Sequence, residues 1–321
     1  MSNWNLPPKG GYMEAPKKMY YQTMTKLDVE ERLKKDDVII IPVGSTENHG
    51  AAGPIGEDTF MVTRIAEMVA EKTGCTVAEP FWYGSHPFHH IGQPCTIPLP
   101  DSVFIDMLRA VITGFWNTGF RKQIFISLHG QEYSLPVALQ EWGKKYQVPA
   151  MLYFVDIPRV MGQTLMDKAH GGPYDRPFQH ACEAEQSLSL ALFPELCQQD
   201  KAENTETKGF LPAGHVDRGG DIYGYPIPGH CQVGNCGIEC VTFPEGVLGH
   251  AKDADPKKAV ASIEKTCDYL VKLHDDILKA FPAGQLPPAE LMSQRDPEEI
   301  EKLLKGPLKG GKHIYTLGWP T

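Results

Sequence analysis

The stretch Ile41 to Thr59 reads IPVGSTENHGAAGPIGEDT and continues directly from Val38-Ile39-Ile40. VIIIPVG is apolar and rich in β-branched residues without polar alternation, the pattern of a parallel strand covered on both faces. The chain then turns polar and places Glu47, His49, Glu57 and Asp58 around three glycines and a proline. Spacing i, i+2 in an extended segment sends Glu47 and His49 to one side. Asp58, at the mouth of a following helix, can close over the same point. Mixed carboxylates and imidazoles suit zinc or manganese, and a carboxylate can bridge two such ions. The plainer alternative makes Glu47 and His49 exposed loop residues and Asp58 a helix cap.

Moving outward, TKLDVEERLKKDD reads as a short helix ahead of the strand, and Asp58 to about Lys72 as a helix after it, with Phe60, Met61, Ile65, Met68 and Val69 on one side. The alternation recurs: TVAEPF is a predicted strand, DSVFIDMLRAVITGFWNTGF a helix capped by Asp101, and KQIFISLHG a strand leading to His129. YSLPVALQEWGKKY is a helix despite Pro136, PAMLYFVD a strand, and EAEQSLSLALF a helix opening with acids. A strand near IECVTF and a long amphipathic helix from Pro256 to about Ala280 close the core. Strands alternating with helices predict an α/β fold with a mainly parallel central sheet. In such sheets the crevice lies at the carboxyl ends of the strands, which puts TENHG and SLHGQE on one rim. Three segments follow: an N-terminal arm over 1–24, a single α/β domain over 25–280, and a peripheral extension over 281–321.

At 321 residues and 41% hydrophobic, the chain can bury a large core. No apolar run is long enough to span a membrane, and the N-terminus lacks the apolar core of a signal peptide, so a cytoplasmic protein is expected. Forty acidic against 31 basic side chains, net charge -9, with no basic cluster interleaved with aromatics, argue against nucleic-acid binding. Eight cysteines without an export signal point to reduced thiols. Cys231, Cys236 and Cys240 form a cluster whose spacing matches no standard metal motif. Gly209 to Gly237 is too long for a plain connection and reads as a loop beside the crevice or a cover over it.

VGSTENHGAAGPIGEDT resembles the signature of the creatininase (creatinine amidohydrolase) family, in which a strand ends in a Gly-Ser-x-Glu-x-His-Gly loop and an Asp follows nine residues after the His. SLHGQE is similar to the family's Asn-Gly-His-Gly-Gly-Asn segment, HACEAEQS to His-Ala-Gly-Glu-x-Glu-Thr-Ser, and PEGVLGHAKDADPKKAVASIEK to its closing Gly-Val-x-Gly-Asp-Pro helix start. The likeness runs from about Thr25 to Leu278. It implies a three-layer α/β/α sandwich, a ring-like hexamer, and two divalent ions, zinc, manganese or iron. By position, Glu47, His49, Asp58, His129 and Glu183 would hold the metals, with Asp58 bridging, and His180 would transfer a proton. Creatininase itself has a metal-binding Glu two residues after the His129 position, where this chain has Gln131, with Glu132 next to it as a reserve ligand; Gln131 and Glu132 are also candidate substrate contacts. YGSHPFHHIGQPCTIPL resembles the family's Tyr-Gly-x-Ser-x-x-His segment and supplies His86, His89 and His90 as pocket-wall or substrate contacts.

The resemblance implies a metal-dependent hydrolase whose activated water attacks a carbonyl of a small, polar, cyclic substrate, with cleavage of a C–N bond as in creatininase. Creatininase closes over its ring with tryptophans in mid-chain, and this chain has none between Trp142 and Trp319. The histidine-rich segment, with Asp217, Arg218 and Asp221, suits a hydroxylated ligand. That keeps open a ring-opening C–C hydrolase of an inosose-type diketone. A non-catalytic oligomeric metal protein is the alternative of another class, whereas a nucleotide-binding protein lacks its glycine-rich phosphate loop.

Overall fold

The computed structural model describes residues 19–90, 92–206 and 244–317, the side chain of His89 excepted. Four parallel strands, β1 (Val38–Pro42), β2 (Thr76–Val77), β3 (Lys122–Ser127) and β4 (Met151–Asp156), lie in the order β2-β1-β3-β4. Val38 pairs with Lys122, Ile41 with Phe125, and Lys122 with Met151. Every residue of β1 and β3 is buried, as the unbroken apolar pattern of VIIIP requires.

The pleat divides β1 between two cores. Val38 and Ile40 join Ile124 and Ile126 beneath α2 (Glu57–Thr73), α5 (Ile157–Met161), α6 (Glu183–Leu192) and α7 (Pro256–Ala280). Ile39 and Ile41 join Phe125 beneath α1 (Lys26–Leu33), α3 (Asp101–Thr118), α4 (Ser134–Tyr146) and α8 (Pro297–Lys305). The result is the expected three-layer α/β/α sandwich. The chain leaves β1 for β2 on one side and β3 for β4 on the other. That reversal opens a crevice between the carboxyl ends of β1 and β3.

At the opposite edge Lys122 is wholly buried, yet its ammonium is fully engaged. It donates to Asp37 Oδ1 at 2.7 Å and to the carbonyls of Phe281 and Pro282 at 2.6 and 3.1 Å, tying the end of α7 to the sheet.

Three expectations shift. β2 is only two residues long, because the chain leaves the sheet and returns as a single bridge between Phe81 and Val43. Asp101 does not cap α3: Pro100 holds that position, and Asp101 accepts the Ser85 hydroxyl at 2.6 Å. The extension, read as peripheral, sends Ile300, Leu303, Ile314 and Leu317 into the second core. The N-terminal arm to Lys18, the glycine-rich loop with Asp217, Arg218 and Asp221, the Cys231/Cys236/Cys240 cluster and the strand near IECVTF lie outside the described residues.

Leu303→Ala is expected to cost about 2–5 kcal/mol in denaturant unfolding, the range for emptying a filled core position; no loss would mean that the extension is dispensable. His274, on α7, lies 3.0 Å from Asp36 and 2.8 Å from Asp275. Burial alone would lower its pKa, but the two carboxylates raise it above the usual value. The stability gained is full below the unfolded value of about 6.5 and is lost as pH rises through the higher folded value. The advantage of wild type over His274→Gln in denaturation midpoint should therefore shrink between about pH 5.5 and pH 9.

Candidate metal centre

The loop that opens the sequence is closed by short contacts. A Cβ at Gly44 would stand 2.2 Å from Thr59 Oγ1. Only glycine lets the first turn of α2 lie against the exit of β1. Ser45 Oγ donates to Asp58 Oδ2 at 2.6 Å, and the Glu47 amide donates to the Ile55 carbonyl at 2.9 Å. The loop thus folds back on itself and brings Asp58 over Glu47 and His49, all three about 1% exposed.

β3 delivers His129 to the same point. Its Nδ1 lies 2.9 Å from Glu47 Oε2 and 3.1 Å from Asp58 Oδ2. The other Asp58 oxygen faces His49 Nε2 at 3.6 Å. Asp58 therefore stands between two imidazoles, one per oxygen. His90 Nδ1 approaches Glu47 Oε1 at 2.8 Å and His86 Nδ1 at 3.2 Å. His180, ahead of α6, brings its Nδ1 to 3.8 Å from Glu47 Oε1 and 4.0 Å from Glu185 Oε2. Donors around a tetrahedral ion with bonds near 2.0–2.1 Å stand about 3.3 Å apart; these pairs, from 2.8 to 4.0 Å, bracket that spacing.

The tautomers are legible from the outer hydrogen bonds. A backbone carbonyl can only accept, so a ring nitrogen bonded to one must carry the proton. His49 Nδ1 donates to the Glu47 carbonyl at 3.2 Å, His129 Nε2 to the Ser85 carbonyl at 3.0 Å, and His180 Nε2 to the Asn48 carbonyl at 2.7 Å. In the neutral form each ring then presents its bare nitrogen to the carboxylates. This is how proteins orient imidazole ligands toward a metal. His49 Nε2 and both oxygens of the fully buried Glu57 have no hydrogen-bond partner. Such orphaned donor atoms at a mixed imidazole and carboxylate cluster fit a divalent cation.

Electrostatics point the same way. Burial alone would raise the Glu47 carboxyl, but the imidazoles of His90, His180 and His129 hold it well below the usual range. Asp58 is likewise lowered against its burial by His129 and His49. Conversely, burial would lower His49, yet Glu57 and Asp58 raise it well above the ordinary value; Glu47 and Asp58 do the same for His129. Burial pushes Glu57 up to about 7 and holds Glu185 well above the usual carboxylate range. His180 and His86 are pushed down by burial to about 4 and about 3. With only protons available as counter-charge, buried acids and imidazoles share them, which is the charge deficit a metal would fill.

The centre thus unites Glu47, His49, Asp58, His129 and His180. Glu183 needs correction. Its oxygens are taken by the Asp175 amide at 2.8 Å and by the Lys258 ammonium. Positions i and i+2 on a helix point apart, and the acid of α6 that faces the cluster is Glu185. Its Oε2 also accepts from the Ala181 amide. Ala181 pays for that turn with a left-handed φ of 48°. Gln131, expected to touch substrate, is wholly buried and donates to the Val43 and Gly44 carbonyls and to Ser127 Oγ at 3.1–3.3 Å. It therefore stitches β1 to β3. Glu132 stands apart from the cluster and beside Asp156, whose carboxyl burial, then Glu132, pushes up to about 6. Of the wall histidines, His86 and His90 reach Glu47 and His129, with donor atoms of all four within 4.8 Å of one another; the His89 side chain is outside the described residues. Glu57, though noticed in the loop, and Glu185 were given no site role from sequence, because acids in the first turn of a helix are ordinary partners of its dipole.

Residues 22–274 match the family model Creatininase, creatinine amidohydrolase. The chain is 54% identical over 307 residues to 3-dehydro-scyllo-inosose hydrolase of Thermotoga maritima, covering 95% of this chain and 99% of that protein. It is 25% identical over 218 residues to creatinine amidohydrolase of Pseudomonas putida, covering 61% and 80% of the two chains. A crystal structure of creatininase superposes with a TM-score of 0.63 at 20% identity, over 83% of this chain and 99% of that one. A manganese creatininase gives 0.62 at 20%, over 82% and 99%. A strand exit carrying Glu47 and His49, an acid returning over them from α2, and this breadth of likeness agree: the chain belongs to the creatininase family and is a hydrolase.

Proposed function

We propose that the chain is a two-metal hydrolase that opens the ring of an oxidised cyclic polyol between its carbonyls. One observation carries the catalytic part: His49, His129 and His180 each spend one ring nitrogen on a backbone carbonyl and turn the other toward buried carboxylates. Asp58, with one oxygen toward His129 and the other toward His49, suits the bridging role. Glu47 and His129 serve one ion, and His49 and Glu185 the other. When bound, the ions supply a water of lowered pKa and polarise the substrate carbonyl.

The substrate reading draws on the relative from Thermotoga maritima. An inosose is a six-membered polyol ring with one ketone, and a dehydro derivative has a second carbonyl. With the two carbonyls flanking one ring carbon, oxygen from water bonds to the first carbonyl carbon. The ring bond from that carbon to the flanked carbon breaks, and its electron pair becomes the enolate of the second ketone. A proton on the flanked carbon then leaves an open-chain keto acid. His180, with Nε2 committed to Asn48 and burial keeping the ring neutral, offers its bare Nδ1 to take a proton from water and return it to that carbon. Cleavage of a C–N bond starts with the same addition. The 54% identical relative favours the C–C reaction over the creatinine-like one.

The setting is part of the proposal. The described cysteines Cys75, Cys95, Cys182, Cys197 and Cys267 are free thiols, which suits a reducing cytoplasm. The family likeness suggests a homo-oligomer, with a hexamer as the size to test by light scattering.

Incubation with 3-dehydro-scyllo-inosose and, separately, with creatinine should release acid only from the first; turnover of creatinine alone overturns the polyol reading. His180→Ala should lower kcat by about 10²–10⁴ with metal content unchanged, the usual scale for a lost proton-transfer group. By elemental analysis Glu185→Gln should lose about one ion per chain and Glu183→Gln none; the reverse result would return the ligand role to Glu183.

A further inference from the structure

The chain between Ser85 and Leu99 crosses the rim of the centre, and its two feet meet in a bridge closed by the Leu99 amide, which donates to the Gly84 carbonyl at 2.9 Å. One arm brings His90 Nδ1 to 2.8 Å from Glu47 Oε1. The other arm is pinned to the same loop: the Ile97 amide donates to the Thr46 carbonyl at 3.0 Å, and Thr96 Oγ1 accepts from the Asn48 amide at 3.1 Å. Gln93 lies at the turn between the arms. Its amide donates to the His90 carbonyl and its carbonyl accepts from the Thr96 amide, both at 3.2 Å.

Gly92, Pro94 and Cys95 are exposed, whereas Gln93 is only 5% exposed. Its side chain is therefore turned inward, beneath a segment whose two arms both rest on the loop of Glu47 and Asn48. Neither its Oε1 nor its Nε2 has a hydrogen-bond partner. A buried amide with both ends unpaired weakens the folded state, and such a group calls for an occupant that pairs it. On the arm before it, His86 Nε2 is likewise buried and unpartnered. The turn is also strained, since Cys95 adopts a left-handed φ of 67°.

We propose that Gln93 is the residue that reads the substrate's hydroxyls, its Oε1 accepting from one hydroxyl and its Nε2 donating to the neighbouring one. The inference rests on the polyol reading above. In that ring two carbonyls flank one carbon, so the three remaining carbons are consecutive and carry adjacent hydroxyls away from the bond that breaks. A carboxamide presents an acceptor and a donor side by side, which matches hydroxyls that both donate and accept. It is also neutral, and adds no charge beside the buried acids Glu47, Glu57, Asp58 and Glu185. A site built to pair a hydroxyl discriminates against the analogue that lacks it, because its own polar group is then left unpaired. Gln93 thus sets substrate choice from outside the metal ligands.

The test compares the metal-loaded, full-length protein with Gln93→Met, which keeps the length of the side chain and removes its polar atoms. Both are assayed with 3-dehydro-scyllo-inosose and with its deoxy analogues, each lacking one hydroxyl. Metal content should be unchanged, and the denaturation midpoint equal or higher, because an unpaired buried amide has been removed. For the parent substrate kcat/KM should fall about tenfold or more. Wild type should reject at least one deoxy analogue by about tenfold or more, and Gln93→Met should treat that analogue and the parent alike within about twofold. A lowered midpoint would make Gln93 part of the scaffold and overturn the proposal whatever the activity. An unchanged kcat/KM overturns it too, as does a slower variant that still discriminates, or a wild type that accepts every deoxy analogue equally. Wild type that does not turn over the parent substrate overturns the polyol reading, and this inference with it.

Discussion

Four acids, Glu47, Glu57, Asp58 and Glu185, are buried together at the rim of a parallel sheet, and their negative charge is the constraint that the rest of the centre answers. In a low-dielectric interior an uncompensated carboxylate is costly, so it must be paired, protonated or bound to a cation. Here Glu47, Asp58 and Glu185 are paired with histidines. Imidazoles are suited to this because they change role: protonated, they neutralise an acid, and neutral, they ligate a metal. The outer hydrogen bonds to the carbonyls of Glu47, Ser85 and Asn48 fix which nitrogen turns inward. Backbone geometry thereby prepares the donor set before any ligand arrives.

The sheet explains why these residues meet. Reversal of the chain between β1 and β3 leaves their exit loops side by side with no strand between them. Gln131 crosses that gap and ties Val43 and Gly44 to Ser127, so the two loops are held in fixed relation. Lys122 performs the corresponding task at the far edge, where it joins Asp37 to the end of α7. The other end of α7 reaches the α6 side of the centre through Lys258, which pairs with Glu183. Glu183 thus serves the scaffold beside the metal cluster, and Glu185, two residues on, serves the cluster itself.

The sequence was readable where a local pattern determines the outcome. An unbroken β-branched run ending in glycine gave β1, the 3.6-residue period gave α2 and α7, and the residues at strand exits gave Glu47, His49 and His129. Readability failed where burial was decided by distant parts of the chain. Nothing near Ile300 and Leu303 announces that they cover a sheet face, since an amphipathic helix needs a partner that only the fold supplies. Glu183 and Glu185 are both acids at a helix start; only the position of Lys258, far along the chain, separates their roles. Glu57 was hidden by its neighbour Asp58, although GED already contained both acids. His90 looked like one wall residue among three, because its approach to Glu47 depends on how the segment after β2 folds back over the crevice.

The same reasoning accounts for how the centre differs from its relatives while the fold persists. By resemblance, creatininase has a carboxylate ligand at the Gln131 position. Here that side chain is neutral, and its amide is spent on backbone carbonyls and Ser127. With no acid supplied by the β3 loop, the buried acids of the centre come from the β1 exit, which gives Glu47, and from the helical layer, where α2 places Glu57 and Asp58 and α6 places Glu185. Moving the carboxylates to the helical layer leaves the β1 and β3 exits free to be lined by His86 and His90.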